Sequence, residues 1–164
     1  RRWRRRVLLY LDRNLSGGDM DKAGRLAMAW QRYEASLNGP DPALPQPVPA
    51  PVGGLEALRA KYRVQAHYLA RRCFLGRAAV LRAAAALSRK PVALIHGTRD
   101  LICLPHSAWC AQRACAGSRL AWAAGAGHDP FHPAMDALFR SALAYFAADG
   151  DFSRWPDGGG AAAT

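Results

Sequence analysis

The chain has 164 residues, of which 51% are hydrophobic, and carries a net charge of +11 from 23 basic and 12 acidic side chains. That is enough apolar material for one domain with a real core, which excludes an intrinsically disordered chain. No apolar run approaches the roughly 20 residues needed to span a bilayer, so no membrane partner is expected.

Charge is concentrated at the start, in Arg1, Arg2, Arg4, Arg5 and Arg6. A solvated helix face or tail is the commoner use of such a run; a polyanion site is the sharper one. The remaining arginines are scattered among alanines without interleaved aromatics, so nucleic acid is not expected as a partner. The opening Arg1 fits a fragment, a processed product or a truncated frame. Cys73, Cys103, Cys110 and Cys115 form no CxxC pair. Neither a zinc site nor a disulfide framework is expected, and reduced thiols in a cytoplasmic protein are the plainer reading.

Residues 3–13 read as a short basic helix broken by Ser16, Gly17 and Gly18. Asp19 can cap a second helix running from Met20 to about Leu37, which Gly39-Pro40 stops. Residues 39–54 hold six prolines, from Pro40 to Pro51, and read as a loop or extended linker, because proline fixes φ and lacks an amide donor. A third helix is expected from about Leu55 to Arg72 and a fourth from about Arg77 to Ser88. Residues 1–88 are thus expected to form one helical segment.

From residue 89 to 150 the pattern is β-α-β-α. Pro91–His96 is a short apolar run bounded by Pro and Gly, the mark of a buried strand. Pro105–Ala116 reads as a helix with Pro105 in its first turn. Leu120–Ala124 is a second strand. Ala134–Ala148 is a helix with Met135, Leu138, Phe139, Leu143 and Phe146 at helical spacing. The fold class expected is α/β, with parallel strands covered by helices. Residues 151–164, rich in Gly and Ala after Trp155, read as a disordered tail.

Groups that bind or react gather beyond the carboxyl ends of strands in open parallel sheets. Asp100 follows the first strand and His128 the second, so the two can meet. The carboxylate would fix the imidazole tautomer, and the imidazole would act as general base and then general acid. The plainer alternative is that Asp100 caps a helix and His128 is a polar turn residue.

The segment PVALIHGTRDLICLPHSAW, residues 91–109, resembles the part of proline iminopeptidases, in the α/β-hydrolase superfamily, that carries the catalytic aspartate in an HGxxD pattern. GAGHDPFHP resembles their Gly-His loop. AMAWQRYEASL, residues 27–37, and YRVQAHYLA, residues 62–70, are similar to their two cap-helix motifs. The resemblance spans about residues 7–150. It implies the C-terminal part of an α/β-hydrolase, with a helical cap segment followed by the last β-α-β-α units of the sheet. It assigns Asp100 and His128 as triad acid and base, Cys103 as a thiol beside the site, and Glu34, Gln65 and Leu69 as substrate-binding positions. Glu34 would hold the free imino group of an N-terminal proline, since a cation leaving water must be paired. Gln65 stands where the family has a second glutamate, and Leu69 where it often has an aromatic. The implied activity is release of N-terminal proline from peptides by serine acyl transfer, with no cofactor and no metal.

The triad order in α/β-hydrolases is nucleophile, acid, histidine, with the serine on a Gly-x-Ser-x-Gly elbow. No such motif occurs in these residues, so the serine and the oxyanion donors are expected from a missing N-terminal part of the hydrolase, and the isolated chain is expected to be inactive. Two alternatives remain: a related hydrolase acting on another amide or ester, motivated by Gln65, and an inactive basic binding module, motivated by the charge.

Overall fold

A computed structural model describes residues 2–38, 48 and 50–156. Most of the proline-rich stretch 39–49 and the end of the chain after Pro156 lie outside the described residues. The chain divides into two compact units, Arg1–Gly76 and Arg77–Thr164.

The first unit holds α1 (Arg2–Leu15), α2 (Met20–Asn38) and α3 (Gly54–Ala70). The Ser16–Gly18 break falls where expected, and Asp19 Oδ1 accepts the Lys22 backbone N–H at 2.9 Å, capping α2. The core is Leu15, Ala23, Ala27, Leu58, Tyr62 and Ala66, with Leu11, Leu26 and Trp30 packed on it. Its alanines bring the helices close, and Tyr62, wholly buried, stacks on Trp30 at 5.0 Å between ring centroids. Asp12 on α1 pairs with Arg71 at 2.8 Å, just past the end of α3. That helix stops short of the expected Arg72 because Arg72, Cys73 and Phe74 turn left-handed, with φ between 51° and 62°.

The second unit takes α4 (Gly76–Ala86), apart from its first residue, then β1 (Ala93–Gly97), α5 (Pro105–Ala114), β2 (Arg119–Ala123) and α6 (Pro133–Asp149). The fourth helix therefore falls in the second unit, and the division comes at residue 76 rather than at the expected 88. The strands pair in parallel, in register from Ala93 with Arg119 to Gly97 with Ala123. Parallel pairing needs a crossover, and α5 supplies it. The α/β class holds in this form: a mainly helical chain with a small two-stranded parallel sheet. Among the described residues no helix is long and apolar enough to cross a membrane.

Two expectations change here. Trp155 is only 1% exposed and packs with Ala121, Ala142 and Phe152, while its Nε1 donates to Ser141 Oγ at 3.1 Å. Residues 151–156 therefore belong to the folded unit rather than to a disordered tail. A buried indole outweighs the Gly-rich composition that follows it. On α6 Met135 and Ala142 are buried on the sheet side and Leu138 is partly buried there, whereas Phe139, Leu143 and Phe146 are exposed, with Phe146 stacked on Phe152. Apolar positions at helical spacing cover a broader arc of α6 than the sheet occupies.

Candidate functional site

Two strand-end loops build a site in the second unit. Gly97 ends β1, and a Cβ placed there would lie 2.4 Å from Ala126 O and 2.6 Å from Gly127 O. Only glycine lets the backbone of the second loop rest on the first. The loops are then laced together. Thr98 donates its backbone N–H to Ala123 O (3.1 Å), Arg99 donates to Ala126 O (2.9 Å), and the Gly125 N–H reaches Thr98 Oγ1 at 2.9 Å. This lacing carries His128 across to Asp100.

Asp100 is 4% exposed, and its two oxygens do different work. Oδ1 accepts the backbone N–H groups of Ile102 (2.9 Å) and Cys103 (2.7 Å), which folds residues 100–103 into a tight turn. Oδ2 accepts the Nδ1–H of His128 at 2.9 Å. The carboxylate is therefore both turn-former and histidine partner, and it does not cap α5, whose N-cap Leu104 has no side-chain bond. The rest of the second loop is occupied locally. Asp129 Oδ1 accepts the Phe131 N–H, and His132 caps α6 by accepting from Ala134 N at 3.2 Å. The His128 side chain is 47% exposed, so the imidazole is reachable from solvent while its carboxylate is not.

An ionised carboxylate only accepts hydrogen bonds, so the proton in this contact sits on Nδ1. Nε2 is then the nitrogen that takes and returns a proton in any transfer chemistry. His96 adds a contact that the sequence did not flag. Its Nε2 donates to Cys103 O at 2.6 Å and lies 3.8 Å from Asp100 Oδ2, with the ring edge-on to Trp122. His96 thus pins the far side of the Asp100 turn. It is the histidine of the HGxxD pattern, directly before Gly97 at the end of β1, although the pattern alone assigned it no role of its own. The Cys103 thiol pKa is pushed up, first by burial and then by the charge of Asp100, so this thiol is held protonated beside the pair. Among the described residues no group of three His, Cys, Asp or Glu is placed to hold a metal.

The other predicted positions lie in the first unit. Glu34 on α2 accepts hydrogen bonds from Tyr62 Oη at 2.8 Å and from Gln65 Nε2 at 2.6 Å, and Lys61 Nζ lies 3.6 Å from it. Glu34 and Gln65 are therefore in direct contact, and Leu69, 39% exposed, lies one turn further along α3. The Tyr62 hydroxyl pKa is raised well above its ordinary value, by burial first and then by its hydrogen bond to Glu34 and the charge there. Tyr62 and Lys61 went unnoticed in the sequence because each reads as an ordinary helical residue. Their partner is on another helix, which no spacing along α3 reveals. The three cysteines besides Cys103 are also free thiols.

Compared with known proteins, the chain matches no family model and no curated protein.

Proposed function

We propose that these residues are the acid- and base-bearing part of a serine aminopeptidase of the proline iminopeptidase type, an α/β-hydrolase that releases N-terminal proline from peptides. The observation that carries the reading is the buried Asp100 carboxylate accepting the Nδ1–H of a solvent-reachable His128 at 2.9 Å, on adjacent strand ends. Support comes also from the order Asp before His and from the motif resemblance around both residues.

In this mechanism His128 Nε2 removes the proton from a serine hydroxyl supplied by a segment outside these residues. Asp100 holds the tautomer and stabilises the imidazolium that forms. The same Nε2 then protonates the departing peptide amine, and a water molecule repeats the cycle on the acyl-enzyme. Glu34 offers the carboxylate for the substrate's free imino group, with Gln65 beside it and Leu69 on the same face of α3. No cofactor takes part. Four free thiols suit a reducing compartment such as the cytoplasm.

One observation favours a second reading. Glu34 is already engaged by Tyr62, Gln65 and Lys61, so a substrate cation would have to compete with Lys61. That suits a hydrolase acting on another amide or ester. The deciding experiment compares proline arylamide with its N-acylated form, using the protein isolated from its own cells. The aminopeptidase reading expects a strong preference for the free imino group. Equal rates would favour the second reading.

A further inference from the structure

A different feature lies in the first unit, around the turn between α1 and α2. A cavity of about 290 Å³ is lined by Ser16, Gly17, Met20, Glu56, Arg59 and Arg63, together with neighbouring apolar groups. Arg59 and Arg63 stand one turn apart on α3, an arrangement of like charges that opposes the helix unless something neutralises it. Neither forms an ion pair with Glu56 among the described residues.

The bonding of Arg59 is poor for a charged donor. Its Nη2 points at the thioether sulfur of Met20, 2.8 Å away, and sulfur is a weak acceptor. Its Nε is buried and has no hydrogen-bond partner. Burying part of a guanidinium without an oxygen acceptor is costly, and an anion in contact with the rest of the group offsets that cost. Met20 is 53% exposed, so its thioether can give way to a ligand. The planar fork of a guanidinium suits paired oxygens, and a cavity this small suits a small molecule rather than a folded partner.

We propose that Arg59 and Arg63 form a binding site for a small oxyanion, the phosphate or carboxylate group of a low-molecular-weight ligand, seated against the α1–α2 turn. Glu56, on the same wall and unpaired with either arginine, accepts an N–H or O–H of the same ligand. The site uses none of the residues assigned to catalysis or to substrate binding.

The test is arginine labelling of the full chain by phenylglyoxal, read residue by residue by mass spectrometry at constant ionic strength. It is run with no addition, with inorganic phosphate and with glycine, and accompanied by calorimetric titration of both probes. Protection of Arg59 and Arg63 by at least about tenfold, with Arg4, Arg5 and Arg6 unprotected, is expected from one probe. Protection by phosphate assigns a phosphate group, and protection by glycine a carboxylate. Arg63→Gln, an exposed substitution that leaves the core intact, should weaken binding of that probe by a similar factor. Equal protection of all five arginines would mean general charge screening and would overturn the proposal. So would no protection by either probe, or unchanged affinity in Arg63→Gln.

Discussion

Replacing Asp100 separates its two jobs, and the outcome is readable without any turnover. In Asp100→Asn the amide oxygen can still accept the N–H groups of Ile102 and Cys103, so the turn persists. The amide nitrogen then faces His128, and an NH₂ donor cannot accept the Nδ1–H. The imidazole must offer a bare Nδ1 and carry its proton on Nε2. One charge-assisted bond is exchanged for a neutral one at a half-exposed ring, a loss of about 1 kcal/mol. Asp100→Ala strands both backbone donors as well. At about 1–3 kcal/mol for each donor left without a partner, and with water reaching part of the loop, the loss is about 2–4 kcal/mol. The assay is long-range ¹⁵N–¹H correlation of the His128 ring at a pH where it is neutral, with urea unfolding alongside. An Nδ1–H tautomer is expected in the native chain and an Nε2–H tautomer in Asp100→Asn. An Nε2–H tautomer in both, or a smaller stability loss for Ala than for Asn, would refute it.

Three further outcomes follow from the packing. Gly97→Ala forces a Cβ into the carbonyls of Ala126 and Gly127, and should cost about 1–3 kcal/mol and shift the His128 ring resonances; unchanged resonances would contradict the close approach. Trp155→Ala should cost about 3–5 kcal/mol by urea unfolding, whereas a loss under 1 kcal/mol would return residues 151–156 to the status of a tail. Tyr62 ionises only well above its ordinary 10.0, so ultraviolet titration should show one tyrosine lagging the others. Because the folded state holds that proton more tightly, the contribution is complete below pH 10 and is lost as pH rises beyond it. Tyr62→Phe should remove this alkaline loss, and a wild-type chain whose stability is flat from pH 9 to 11 would contradict it.

Legibility in the sequence tracked how local each signal was. The helix breaks at Ser16–Gly18 and the strand ahead of Gly97 were readable because Gly, Pro and β-branched residues act within a few positions. The Asp100–His128 contact was readable because the carboxyl ends of neighbouring parallel strands lie along one edge of the sheet and both residues follow one. The grip of Tyr62 and Lys61 on Glu34 was not, since it depends on how α2 packs against α3. Trp155 was hidden by the Gly-rich stretch after it, and the exposed Phe139, Leu143 and Phe146 by a helix whose apolar arc exceeds the sheet it meets. His96 stands in the HGxxD pattern, but its hold on the Asp100 turn depends on the loop folding back over the strand end, which the pattern does not reveal.

The proposed function requires His128 to activate a serine lying outside these residues. The most direct measurement treats the protein isolated from its own cells with a fluorophosphonate probe and maps the labelled peptide, for the wild type and for His128→Ala. A labelled serine in a peptide absent from this sequence is expected, with labelling lost on replacement of His128. No labelling of the wild type, or labelling that survives in His128→Ala, would contradict it.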